Sequence, residues 1–446
     1  MDIFEFEEKY KNTLEDIEEW NYLRIQVGFY LKNQNNKSYD KRNKKNIFFD
    51  KLRSMILLLK NSFFGFKNWF RNYDYIFLST SDQRKLVDGN FYDKLCDPII
   101  DEFNKRGNRS LIIEKCSSKR FKKVKNQNIV AKELIEIVYL FFYKISFLKK
   151  KKSPISKIIN LDYNRSIQSF KISYRIYILI LTIYKPKAIF VVCAYTHMPI
   201  IKASKKLGIK TIELQHGVIS KEHFGYISKL KIKNRQMYLP DILLTFGNIN
   251  IDNFLINDTY PIGHFYLEYI RSNFKIDKKL SKLINNYNMV IGVSMQISYW
   301  EIDSLIIFIN KVALIKKDIL FVLIPRNNTF IDMKLPSNII VYNDLDCYNI
   351  ILHCNIHMTL YSSCAIEVLA LGVPNILYNY KNFAKKYYEN ILNNFYTEII
   401  DSEENFLEAV EKFSKIDKQD ILHGQYNVIR IDYRKNIKKF MKENLK

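Results

Sequence analysis

The stretch Tyr361–Asn379 reads YSSCAIEVLALGVPNILYN. It follows the apolar run Ile356–Leu360 (IHMTL) and contains a second short run, Asn375–Tyr378, so it reads as strand, helix over Cys364–Leu371, strand, punctuated by Gly372 and Pro374. A strand that ends at Leu360, two hydroxyls and a helix that begins at once would turn backbone N–H groups and the Ser362 and Ser363 side chains to one point. Such a point suits a phosphate. Glu367 comes four residues after Ser363, one turn on along the same helical face, where its carboxylate would accept hydrogen bonds from ribose hydroxyls. The plainer reading of the same residues is an N-cap pair and an exposed Glu.

The alternation extends in both directions. Upstream lie strands at Met289–Ser294, Ile319–Ile324 and Asn338–Tyr342, with helices at Glu301–Ile315 and Cys347–His353, all after an amphipathic segment Asp277–Tyr287. An earlier series has Lys187–Cys193 as a buried strand, Met198–Leu207 as a helix stopped by Gly208, Ile209–Leu214 as a second strand and Asp241–Phe246 as a third. A β-α-β unit of this kind predicts parallel strands and a right-handed crossover. Further back, Tyr73–Ser79 reads as a strand leading through Ser81-Asp82 to a turn at Asp88-Gly89, and Ser173–Tyr184 as an apolar helix. The first ~70 residues read as helical. The predicted class is therefore α/β, with two Rossmann-like domains: 1–262 with extra N-terminal helices, and 263–424, followed by a C-terminal helix, 425–446, packing back on the N-terminal domain. In such sheets, ligands bind outside the carboxyl ends of the strands.

The second informative segment is Glu213–Tyr226, ELQHGVISKEHFGY, at the carboxyl end of a predicted strand. Gly217 would permit a tight turn that leaves His216 pointing into a cleft, and an imidazole is the side chain best suited to exchange a proton near neutral pH. Gln215, Gly217 and His223 are secondary contacts in this reading. Asp344-Leu345-Asp346 resembles a metal-binding DxD, but it precedes the helix Cys347–His353, where Asp is a favoured N-cap.

Ser362, Ser363, Glu367, Gly372 and Pro374 together resemble the donor element of GT-B glycosyltransferases, and of nucleotide-sugar 2-epimerases of that fold. Gln215-His216-Gly217 resembles the Gln-His-Gly loop of bacterial capsule and lipooligosaccharide transferases, and more distantly the His-Gly of teichoic-acid glycerophosphotransferases. Tyr75–Asp97 is similar to the opening of the same capsule-type group. The resemblance implies a nucleotide-sugar donor held by Ser362, Ser363 and Glu367, an oligosaccharide or lipid-linked glycan acceptor, and inversion with His216 as base. It implies no cofactor and no required metal. Where related transferases carry His-Pro, this chain reads Ile324-Pro325-Arg326-Asn327; Arg326 would replace that His as a diphosphate contact, since guanidinium pairs well with phosphate oxygens.

The chain of 446 residues is 48% hydrophobic and 15% aromatic, enough for two packed cores. Its formal charge of +24, from 70 Lys plus Arg against 46 Asp plus Glu, predicts an anionic partner. Part of the excess is Lys scattered among Asn, Ile and Tyr, as compositional drift produces. The six cysteines include no CxxC pair, which argues against a zinc site or a disulfide framework. The acidic N-terminus, MDIFEFEEKYKN, lacks the pattern of a secretory signal, and no run reaches the roughly 18 apolar residues of a spanning helix. Three stretches nonetheless mix bulky apolar and basic residues: Met55–Phe70, Ile129–Lys152 and Lys115–Lys125. Helices of that kind lie at anionic lipid surfaces, so the expected location is cytoplasmic, on the inner face of the membrane.

Four alternatives stay open: a 2-epimerase acting on a free nucleotide sugar, a polyol-phosphate transferase sharing the His-Gly loop, a basic nucleic-acid-binding protein, and core or surface roles for the basic stretches. Nucleic acid is not the expected partner, because no binding motif accompanies the charge.

Overall fold

The computed structural model describes residues 2–35, 56, 58–79, 84–115, 124, 126, 128–146, 163–295, 299–326, 333–392 and 395–445. Most of the basic stretch Lys115–Lys125, the Ser81-Asp82 loop, Met55 and residues 147–152 lie outside these. The chain divides into two compact units. Met1–His216, His223–Leu244 and Asp252–Tyr260 form the first, and Gly217–Glu222, Thr245–Ile251 and Pro261–Lys446 the second.

Among the described residues the first unit is built on nine strands: β1 (Tyr75–Ser79), β2 (Arg84–Val87), β3 (Asn90–Asp93), β4 (Ser110–Glu114), β5 (Ile129–Ala131), β6 (Ala188–Val192), β7 (Lys210–Leu214), β8 (Ile242–Thr245) and β9 (Asp258–Pro261). Seven of them form a sheet in the order β5-β4-β1-β6-β7-β8-β9, with every pair from β5 to β8 parallel. β1 (YIFLS), β4 (SLIIE) and β6 (AIFVV) are buried throughout, as strands covered on both faces must be. On one face Ile76, Leu78, Ile113 and Val191 pack against Ile200 and Ile201 of the helix Met198–Lys206 and Tyr177 and Leu181 of the helix Asn164–Tyr184. The other face is aromatic: Phe77 stacks on Phe190 at 4.5 Å, and Tyr75 on Phe103 at 3.8 Å. β2 and β3 form a separate hairpin, with Asp88 and Gly89 both at positive φ, the conformation that the Asp-Gly turn predicts.

The N-terminal helices Ile3–Lys9 and Trp20–Asn35 pack through Ile3, Phe6, Trp20, Leu23 and Val27. Their buried charge is paired. Arg24 Nε donates to Glu7 Oε1 at 2.9 Å, Trp20 Nε1 donates to the same oxygen at 2.9 Å, and Arg24 Nη2 donates to the Ile227 carbonyl at 2.9 Å. Paired in this way, the charges avoid the large penalty of an isolated buried ion.

The second unit carries β10 (Met289–Ser294), β11 (Ile319–Ile324), β12 (Ile339–Val341), β13 (Ile356–Thr359), β14 (Asn375–Tyr378) and β15 (Thr397–Ile400), in the order β12-β11-β10-β13-β14-β15 and parallel throughout. Ile291, Val293, Phe321, Leu323, Met358 and Ile376 meet Leu305, Ile309 and Phe406 in its core.

Several elements differ from expectation. No strand is expected at β4, and Ile129–Ala131, expected as the start of a helix, is strand β5; the helix begins at Lys132. The final helix spans Tyr433–Asn444, shorter than the expected 425–446. Residues 425–446 group with the second unit, where the Tyr433 N–H donates to Glu268 Oε1 at 3.0 Å, and they also bond residues of the expected 1–262 domain, the Arg430 N–H donating to the Phe246 carbonyl at 2.8 Å.

Candidate functional site

In an open parallel sheet, the crevice for a ligand forms where the strand order reverses, because the loops there leave in opposite directions. In the second unit the reversal falls at β10, which has β11 on one side and β13 on the other. Their carboxyl ends are Ser294 and Thr359, the latter followed by Leu360, Tyr361, Ser362 and Ser363. The sequence motif therefore stands at the switch point.

A polar chain ties this point together. His357 Nδ1 meets Asn375 Oδ1 at 2.7 Å, which requires the proton on Nδ1, so Nε2 accepts from the Ser294 hydroxyl at 2.8 Å. Asn375 Nδ2 donates to the Ala365 carbonyl at 2.5 Å, and Thr359 Oγ1 donates to the Ser294 carbonyl at 2.8 Å. Burial holds the His357 imidazole down to about 4, so it is a neutral linker from β10 through β13 to β14 and the helix after Ser363. Cys364 lies among Cys347, Ser362 and Ser294; the hydrogen bond between the two thiols pulls that of Cys364 down and pushes that of Cys347 up.

The predicted donor residues are brought together, but more of them are engaged internally than the sequence implies. The helix is a single α-turn, Cys364–Glu367, continued as a 3-10 turn to Leu371. Ser363 makes no side-chain cap; its hydroxyl donates to Glu367 Oε2 at 3.4 Å. Ser362 Oγ accepts the Cys364 N–H at 3.3 Å, and its carbonyl accepts the Tyr388 hydroxyl. Glu367 is not exposed, as the plainer sequence reading has it: it is 2% accessible, and Oε2 accepts the Tyr348 hydroxyl at 2.7 Å. Arg326 is exposed just beyond β11, the neighbour of β10. Asp346 caps the helix Cys347–Ile351 by accepting the Tyr348 N–H at 3.2 Å, and Asp344 pairs with Lys279 at 2.5 Å, so the DxD is a capping and surface element.

In the first unit the strand order reverses at β1 and β6. β6 ends in Cys193, a non-glycine residue at φ 65°, followed by a 3-10 turn and His197 at the N-cap of Met198–Lys206. β7, next to β6, is followed by Gln215 and His216. Gln215 is buried and its N–H donates to the Leu244 carbonyl at 2.9 Å. The His216 ring lies 6.1 Å from that of Tyr195, and its buried Nδ1 has no hydrogen-bond partner among the described residues. Burial, reinforced by the charge of Lys94, holds His216 down to about 4. His223 packs 4.7 Å from the Tyr226 ring, accepts the Gly225 N–H on Nδ1 at 3.2 Å, and is likewise held down to about 4 by burial.

Gly217 departs from expectation. Its φ is not positive, and a side chain there would meet nothing within 4 Å, so the backbone does not demand glycine. The restrictive glycine is Gly225, where a Cβ would stand 2.8 Å from Tyr195 and 3.0 Å from His223.

Sequence reasoning assigned no role to Glu213, His197 or the carboxylates near β4. Glu213 is fully buried; Oε1 accepts the Ala194 N–H at 2.8 Å and the Tyr226 hydroxyl, and burial pushes its carboxyl up to about 7. A charged residue inside the apolar run IEL was the available signal. Arg84 holds Glu114 through Nη2–Oε2 at 2.6 Å and approaches Asp97 at 3.7 Å; burial pushes both carboxyls up to about 7. Glu133 is 1% accessible, with neither carboxylate oxygen hydrogen-bonded among the described residues.

Neither a protein-family model nor a curated protein matches the chain. Solved structures do. The UDP-GlcNAc 2-epimerase of Neisseria meningitidis, bound to UDP-GlcNAc, aligns over 83% of this chain and 99% of its own at 13% identity, with a TM-score of 0.52. The glycosyltransferase of kitacinnamycin aligns over 84% and 99% at 12% identity, also with a TM-score of 0.52. At these identities the likeness is one of fold, and the chain has the GT-B fold: two Rossmann-like units, each with a parallel sheet.

Proposed function

We propose that this chain is a glycosyltransferase that moves a sugar from a nucleotide-activated donor onto a bacterial surface polysaccharide. The observation that carries the reading is the convergence of Ser294, Ser362, Ser363 and Glu367 on the strand-order switch of the second unit, where a parallel sheet receives a nucleotide. In this reading Glu367 accepts ribose hydroxyls, Ser362 and Ser363 meet the diphosphate, and Arg326 adds charge-assisted contacts to it. His216 is the base. Held neutral by burial and Lys94, its imidazole can take the acceptor's proton as the hydroxyl attacks the anomeric carbon. That step forms the new C–O bond, breaks the bond to the nucleotide phosphate and inverts the anomeric centre. No metal or cofactor enters the proposal; hydrogen-bond donors and cationic side chains would offset the leaving group's charge. The location is the inner face of the cytoplasmic membrane, supported by the exposed Phe63, Phe66 and Phe70, close in sequence to Lys60, Lys67 and Arg71, and by the exposed Phe141, close in sequence to Lys144.

A second reading, a nucleotide-sugar 2-epimerase, is favoured by two observations. The UDP-GlcNAc 2-epimerase of Neisseria meningitidis shares this fold over 83% of the chain, and burial pushes the Asp97, Glu114 and Glu213 carboxyls up to about 7, where a carboxyl can serve as the acid or the base that inverting a ring carbon needs. Incubation with nucleotide sugars in D2O separates the two. A transferase releases nucleotide in an acceptor-dependent manner and leaves the donor's ring hydrogens unexchanged. Deuterium in recovered donor, without nucleotide release, overturns the transferase reading.

A further inference from the structure

We infer that the N-terminus of the helix Met198–Lys206 is an oxyanion site, the seat of a phosphate or carboxylate carried by the acceptor. The helix has nine residues, and its positive end lies at the carboxyl end of β6, where the strand order of the first unit reverses. Its N-cap is His197, 6% accessible, whose Nε2 has no hydrogen-bond partner among the described residues. A buried imidazole nitrogen without a partner costs free energy unless something supplies one. His216 repeats the pattern on the next strand, with Nδ1 unpartnered.

Cationic groups act on these rings, and the Glu133 and Glu136 carboxyls act in turn on one of those cations, Lys132. Lys132, at the start of the helix after β5, acts on His197, and Lys94, beyond β3, acts on His216. The carboxyl on the intervening element, Glu213, is engaged by the Ala194 N–H and the Tyr226 hydroxyl, and burial keeps it largely protonated below pH 7. Two buried imidazoles with unmet nitrogens and a helix N-terminus thus share one end of the sheet, with two lysines acting on the rings. An oxyanion answers the His197 side of this cluster: it accepts from that ring, favours its protonated form and offsets the lysines, while His216 stays neutral and free to act as the base. The Cys193 backbone at φ 65° fits a functional turn, since a non-glycine residue there is strained.

The assignment to the acceptor rests on the transferase reading; the binding of an oxyanion does not. The test is ring NMR of 15N-histidine-labelled protein, whose 7 histidines can be assigned by single replacements. Spectra are recorded across pH in chloride, with added inorganic phosphate or with added glucuronate. The expected result is a saturable rise of the His197 apparent pKa by about one unit or more, the effect of an opposite charge at contact distance, with phosphate, glucuronate or both. The anion that acts identifies the oxyanion. His357, buried in the second unit against Ser294 and Asn375, should not respond. Lys94→Gln should raise the half-saturating concentration several-fold, which keeps the test available if His197→Gln fails to fold. No response to either anion, or an equal response at His357, overturns the site. Nucleotide titration of the same sample by calorimetry is the separate readout: lost nucleotide binding with an intact His197 response counts against the transferase reading alone.

Discussion

The Tyr348 hydroxyl donates to Glu367 Oε2 at 2.7 Å, joining the helix before β13 to the helix after it. Both residues are buried, and burial pushes the phenol far above its ordinary range, so it stays a donor at every working pH. Glu367 therefore has a structural bond and a proposed ligand bond, and one variant would lose both. Glu367→Ala should weaken nucleotide affinity by about 1–3 kcal/mol and lower stability by a similar amount, because the Tyr348 hydroxyl is stranded. In the double variant with Tyr348→Phe, stability should partly recover, since both partners are gone, while affinity stays low. Calorimetry and denaturant unfolding on the set read the two effects apart; recovered affinity would mean that Glu367 acts only through packing.

His216→Ala should cut turnover by roughly 10² to 10⁴ and leave nucleotide affinity near wild type. A pH signature accompanies this. With the imidazole held down to about 4 by burial and Lys94, the acid limb of kcat/KM belongs below pH 5, well under the ordinary histidine value. Lys94→Gln removes the second cause and should move that limb upward. An acid limb near 6.5 in both proteins would assign the base elsewhere.

Glu213 predicts a stability slope. Burial raises its folded-state carboxyl to about 7, above the unfolded value, so the folded state binds more protons. Its stabilising contribution is complete below the unfolded value and is lost as pH rises through about 7. Asp97 and Glu114 act in the same sense. The depressed histidines oppose this only below the unfolded histidine value of about 6.5. From pH 6.5 to 8 the carboxyls should thus dominate, and melting temperature should fall. Glu213→Gln should match wild type at pH 6 and exceed it at pH 8; parallel curves would show that this carboxyl does not titrate there.

Phe70 is 77% accessible, and the ring of Phe66 lies 5.3 Å from it, with Lys67 and Arg71 adjacent in sequence. The chain should sediment with anionic vesicles and be released by salt, because attraction to the surface decays within a Debye length. Replacing Phe66 and Phe70 by Ser should reduce the bound fraction several-fold. Equal binding to neutral vesicles, or none to either, would make this an ordinary surface. No helix among the described residues is long and apolar enough to cross a membrane.

The second unit was legible because its strands are short apolar runs separated by helices of ordinary length. MVIGVS, ILFVLI and IHMTL appear as β10, β11 and β13 nearly residue for residue. β4 was missed because SLIIE is brief and ends in an acid, and that acid is buried only by virtue of Arg84, thirty positions upstream. The i to i+4 spacing correctly put Ser363 and Glu367 on one face. Which way that face points was not readable, since Tyr348, from another helix, turns it inward. His197 was hidden for a similar reason: a histidine before Met-Pro reads as a helix start, and its burial follows from elements distant in sequence.

The central claim is that the second unit's switch point binds a nucleotide through Glu367. Its most direct test is a thermal-shift panel of CMP, CDP, UDP and GDP on wild type and Glu367→Ala, since a ligand of the folded state raises its stability by mass action. The account predicts that at least one nucleotide raises the wild-type melting temperature in a saturable way and fails to do so at the same concentration in the variant. No shift with any nucleotide, or equal shifts in both proteins, would contradict it.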